Sequence, residues 1–108
     1  MTALQEQLKK EFQLADQARA KGNEGQARVC ARRAAGIAVR EYLTRNGKST
    51  GNASGYDLLN ILKDDPLLSP DLKLIADHLT LRVTEEFKLP VKADLVAEAR
   101  KLCDELLK

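Results

Sequence analysis

The chain has 108 residues, 44% of them apolar and 31% charged, with 4% aromatic residues and a net charge of +2. That is enough for one domain, residues 1–108, with a core that needs no disulfides or metal, and the composition is the profile of a soluble helical protein. The first 48 residues are net basic and the remainder net acidic, a polarity that suits an anionic partner or a pairing of the two halves between copies.

Thr2 caps a first helix running to about Lys21, with Leu4, Leu8, Phe12, Ala15 and Ala18 or Arg19 marking its inward side. Gly22 ends it, and the Gly22-Asn23 connection is too short for anything but a helical hairpin.

The second helix, Asn23 to Asn46, is the stretch around which the chain is organised. Ala27, Cys30, Ala31, Ala34, Ala35, Ala38 and Tyr42 recur at helical spacing, a buried face small enough for close approach by a neighbour. Asn23 with Gln26 reads as a capping box, and Asn46-Gly47 as the stop. A second apolar strip, Val29, Gly36, Val39 and Leu43, is expected at or near a homodimer interface, since one helix with two apolar strips sits mid-bundle or lends one to a copy. Arg28 and Arg32 on one edge, with Arg33 and Arg40 on the other, form a candidate anion or nucleic-acid surface, because guanidinium groups at helical spacing can follow a phosphate backbone.

Residues 47–55, GKSTGNASG, carry three glycines among small polar residues and predict an irregular, flexible loop. Lys48, Gly51 and Gly55 are ingredients of a phosphate loop, but the G-x-x-x-x-G-K-[ST] order is missing. Ser54 then caps a short helix through Leu58, Leu59, Ile61 and Leu62, with Asp57 at its third position, and Asp64-Asp65-Pro66 stops it. Ser69-Pro70-Asp71 starts a fourth helix, expected to reach about Glu86 through Leu72, Ile75, Ala76, Leu79 and Val83. Phe87 to Pro90 breaks the chain, and Lys92 to Leu107 closes the fold through Leu95, Val96, Ala99, Leu102, Cys103 and Leu106. The expected fold is all-α, an antiparallel up-and-down bundle of four main helices and one short one.

Catalytic and metal chemistry find little support. His78 is the single histidine, so a triad or a multi-histidine metal site is hard to build, and Arg82, four residues on, supplies no carboxylate. Asp64-Asp65 and Glu85-Glu86 point apart on their helix ends and make no positioned dyad. Cys30 and Cys103 lack metal-ligand spacing and are expected as reduced core thiols. No cofactor is implied. With no signal-like apolar run at the amino terminus and no stretch of about 18 apolar residues, the expected setting is cytoplasmic, without a membrane.

The order of segments resembles the HEPN family of small prokaryotic helical proteins. Ala31, Ala34, Ala35, Ala38 and Leu43, with Gly47 at the end, stand where that family has its alanine-rich central helix. Tyr56-Asp57-Leu58 followed by Leu62 looks like its short His-Asp-Leu helix start with tyrosine in place of histidine, and Arg82 to Arg100 resembles the connection into its last helix. The resemblance implies a helical bundle that dimerises and binds a nucleotide, RNA or a nucleotidyltransferase partner protein. Active members are metal-independent ribonucleases with an arginine four to six residues before a histidine. Here Leu72, Lys73 and Leu74 occupy those positions before His78, so the resemblance implies a non-catalytic module. The alternatives are a degenerate ribonuclease using His78 and Arg82, and a protein-binding adaptor that receives a partner helix, since Ala20-Lys21-Gly22-Asn23 also resembles the turn of a tetratricopeptide unit.

Overall fold

The computed structural model describes residues 2–81 and 93–108, and every regular element among them is helical. The helices are α1 (Ala3–Ala20), α2 (Glu24–Arg45), α3 (Gly55–Lys63), α4 (Pro70–Thr80) and α5 (Leu95–Leu106). Their starts are set by single side chains. Thr2 Oγ1 accepts from the Gln5 amide while Gln5 Oε1 accepts from that of Thr2, both at 3.1 Å, and Ser54 with Asp57 repeats the exchange at α3. Asn23 caps α2 by one bond alone. Gln26, expected to complete a box, turns away and donates to Cys30 Sγ. Gly22 and Gly47 end α1 and α2 with φ of +77°, a backbone that side chains resist.

The alanine face of α2 lies in the core as its spacing predicts, with Ala27, Cys30, Ala31, Ala34, Ala35 and Ala38 all buried. Around it α1, α5 and α3 pack directly, and α4 bridges α3 and α5. Leu58, Leu59, Leu62, Leu79, Leu95 and Leu102 fill the space the alanines leave, each burial worth about 1.5–3 kcal/mol. Tyr42, at the end of the alanine face, is half-buried and donates to Asp65 Oδ2 at 3.0 Å.

Two expectations are corrected here. The fourth helix stops at Thr80 and not near Glu86, because Leu81 is extended with ψ of 141°; Thr80 Oγ1 donates back to the Ala76 and Asp77 carbonyls, a local bond that competes with helix continuation. The break at Phe87–Pro90 and the inward position of Val83 lie outside the described residues. The last helix begins at Leu95 and not Lys92, since Asp94 is its cap and accepts from the Ala97 amide.

The second apolar strip lies mostly inside the fold. Val39 and Leu43 are wholly enclosed by the chain itself, and Gly36 is buried against Gly55 of α3. Val39 and Leu43 offer no surface to another copy while the fold is intact; of the strip, Val29 is exposed and Gly36 borders the outer face of α2. The reason is close approach: a Cβ on Gly36 would stand 2.9 Å from Gly55 Cα, so two glycines let α3 cross directly over α2.

Candidate binding groove

The four arginines of α2 do not share one role. Arg32 Nε donates to the Leu79 carbonyl at 2.8 Å and Nη2 to that of Leu81 at 3.0 Å, so Arg32 satisfies the carbonyl end of α4. Burial first, then the nearby Arg28 charge, pulls its pKa down from the usual arginine value. Arg40 reaches the other way, donating to Thr50 Oγ1 at 3.0 Å and to the Gly51 and Ala53 carbonyls. The loop expected to lie free is held by this side chain. Arg28 is half-buried, its Nε closed from water with no hydrogen-bond partner among the described residues. Arg33 is exposed, and its Nε lies 3.9 Å from Glu11 Oε2 of α1.

Arg32, Arg33 and Arg40 nevertheless border one feature, a groove of about 740 Å³ over the outer face of α2. Its floor is Val29, Gly36 and Ile37; Leu4, Gln7 and Glu11 of α1 form one wall, and Gly55 and Tyr56 at the start of α3 the other. From Val29 to Glu41 it follows α2 for about 18 Å at about 1.5 Å per residue. Since the Arg32 and Arg40 head groups are turned onto the chain's own carbonyls, what those residues offer the groove is mostly aliphatic stem. Glu41 is likewise engaged, accepting from Arg45 Nε at 3.0 Å.

Glu11 was not singled out by sequence pattern. Its Oε2 is shut off from water and receives no hydrogen bond among the described residues. The signal was there: Glu11 and Arg33 are equidistant from Gly22, so the hairpin turn brings them side by side. Ile37 and Tyr56 were missed as surface residues for a different reason, since a wheel shows periodicity but not which sector neighbours leave open.

Outside the groove lining, His78 Nδ1 lies 2.6 Å from Glu98 Oε1 of α5, with both side chains largely buried. The sequence offered no carboxylate partner for His78 on its own helix; the fold supplies one from another. Arg82, paired with His78 in the degenerate ribonuclease reading, lies outside the described residues. Cys30 and Cys103 are both buried free thiols, and Cys103, donating to the Ala34 carbonyl, is pushed up to about 12 chiefly by burial. Among the described residues no three His, Cys, Asp or Glu side chains converge, and no helix is long and apolar enough to cross a membrane.

Comparison with known proteins gives no match to a family model, to a curated protein or to a solved structure.

Proposed function

We propose that this chain is a non-catalytic, HEPN-like cytoplasmic helical module that works by receiving an amphipathic helix of a partner protein in the groove over α2. One observation carries the reading: an apolar floor, walled by α1 and α3, lies over a sector of α2 where two of the three bordering arginines are already consumed inside the fold. Such a surface rewards an apolar helical stripe more than a phosphate chain. In this reading the helices form an up-and-down antiparallel bundle, α1, α5, α4 and α3 wrap α2, and the incoming helix closes the remaining sector. Nucleotide or RNA binding is a weaker use of this face, with Arg33 in the groove and Arg28 outside its lining left to contact phosphate. The likeness to HEPN proteins, and with it a nucleotidyltransferase as the partner, rests on the sequence pattern.

Phage display of helical peptides tests this, with the wild type as bait and Ile37→Glu as the counter-bait. Enriched sequences are expected to carry apolar residues at i, i+3 or i+4, and i+7, and to lose binding to a folded Ile37→Glu protein. No enrichment, or binding that the substitution leaves unchanged, defeats the proposal.

A homodimer is the second reading, and the order Arg33, Ile37, Glu41 on one stripe of α2 favours it. A two-fold axis at Ile37 would set Arg33 of each copy against Glu41 of the other. Sedimentation equilibrium decides: a dimer that Ile37→Glu converts to a folded monomer supports this reading, and a wild-type monomer removes it.

A further inference from the structure

We infer that the partner whose helix fills the groove is a second copy of this chain, offering the outer face of α4, an inference that rests on the helix-receiving reading above. Leu72, Ile75, Ala76 and Leu79 hold α4 to the core, and no residue of α4 lines the groove. Its outer side carries Leu74, 54% exposed, and Leu67, just before the helix, is 90% exposed. Single exposed leucines are ordinary. What sets these two apart is their register with charge. Asp71 and Asp77, both exposed, stand three residues either side of Leu74, so they lie about 9 Å apart along the axis at about 1.5 Å per residue. In the groove, Arg33 and Arg40 stand four and three residues either side of Ile37, about 10.5 Å apart on the same rise.

Laid along α2 in the same direction with Leu74 on Ile37, the second copy's α4 brings Asp71 to Arg33, Asp77 to Arg40 and Leu67 to the Val29 end of the floor. Run the other way, the acids still meet arginines, but Leu67 passes beyond Glu41 and stays in water. Length agrees as well: the 11 residues of α4 span about 16 Å, against about 18 Å of groove. The charges on both surfaces are open to this pairing. Arg40 is bonded to a hydroxyl and to backbone carbonyls, so it keeps its positive charge without a counterion among the described residues. Arg33 is exposed, and Asp77 is met on the surface by Lys63 Nζ at 3.6 Å, a loose contact. The basic first 48 residues and the acidic remainder fit the same pairing of halves between copies. Exposed ion pairs add little affinity; the leucines supply that, and the charges set register and direction. Because the contact joins two different faces, it does not close on a two-fold axis. Each added copy leaves a fresh groove at one end and a fresh α4 at the other.

Sedimentation velocity on the full chain tests this. The wild type is expected to show a sedimentation coefficient that climbs with concentration. Ile37→Glu, which spoils the groove, and Leu74→Glu, which spoils the α4 face, are each expected to sediment as monomers with the helical content of wild type. Mixed in equal amounts they are expected to form a complex of two chains and nothing larger, since one keeps its face and the other its groove. A second pair of variants decides even where Ile37→Glu loses its fold. Arg33→Glu and Asp71→Arg are each expected to weaken association about fivefold, the upper worth of an exposed ion pair, and together in one chain to restore it. A wild type that is monomeric at every concentration, a mixture that stays monomeric, or a double variant no tighter than the single ones overturns the inference while the helix-receiving groove stands. Assembly that Ile37→Glu abolishes and Leu74→Glu leaves intact also overturns it and assigns the contact to the two-fold homodimer. Assembly that a folded Ile37→Glu leaves intact overturns it too, because the groove is then no part of the contact.

Discussion

Asp65 shows what one side chain contributes at a turn. Although buried, it stays ionised, its carboxyl held below the usual range mainly by the Leu67 amide and further by the Tyr42 hydroxyl, against the opposing effect of burial. Tyr42 moves the opposite way, raised first by burial and then by its bond to Asp65. Because the folded pKa of Asp65 lies below its unfolded value of about 3.9, the stabilisation it gives is complete above that value. It is lost as pH falls through the folded value. Asp65→Ala is therefore expected to cost about 1–3 kcal/mol at neutral pH, and the gap between wild type and variant to shrink in acid as pH falls through the folded value. Urea unfolding at neutral and acid pH checks this. A gap of constant size would mean that Asp65 acts by packing alone.

Among the helices, α2 and α3 depend on the Gly36–Gly55 crossing, so two glycines of α2 should respond oppositely to the same change. At Gly36 an added methyl meets backbone at 2.9 Å, whereas at Gly25 its nearest neighbour is the Asn23 side chain at 3.9 Å. Gly36→Ala is expected to destabilise by about 1–3 kcal/mol through overpacking, and Gly25→Ala to stabilise by up to about 1 kcal/mol, both read from thermal unfolding. Arg32→Met should lower stability and release hydrogen-exchange protection first at the end of α4, since the Leu79 and Leu81 carbonyls lose their donor. Helix positions and the alanine face were legible in the sequence because capping residues and periodicity are local. Which helix covers which strip was not. Val39 and Leu43 read as a surface strip because nothing in their spacing shows that the Gly36–Gly55 contact brings α3 down on that side. What the Arg32 and Arg40 head groups touch was illegible for a similar reason: a long side chain's angle is set by its helix, but its head group goes where unsatisfied carbonyls wait. For Arg32 these lie 47 and 49 residues away in sequence.

Taken whole, the molecule is clamped by ionic contacts at the closed end of the hairpin and left open over α2. Arg19 grips Glu24 at 2.8 and 2.7 Å and also reaches Asp94 at 3.0 Å, tying α1, α2 and the start of α5. The Arg19 contact is the largest influence lowering Glu24, while the Ala97 amide comes first for Asp94 and Arg19 second. Because Arg32 and Arg40 are occupied, any single-stranded RNA binding should be shallow in its salt dependence. Two remaining arginines predict a slope of log affinity against log salt of about −1.4, and four would give about −2.8. Filter binding across a range of salt reads the slope directly, and the steeper value would show that Arg32 and Arg40 leave their carbonyls to bind.

Arg40 stands in two places at once, bordering the groove with its stem and holding the Thr50–Ala53 loop with its head group. Gly55, directly after that loop, is part of the groove wall. Opening of the loop and vacancy of the groove are therefore linked equilibria: whatever fills the groove is expected to slow proteolytic cutting between Gly47 and Ser54, and a loop held open is expected to weaken whatever fills the groove. The loop thus serves as a built-in reporter of occupancy, readable by protease before any partner has a name.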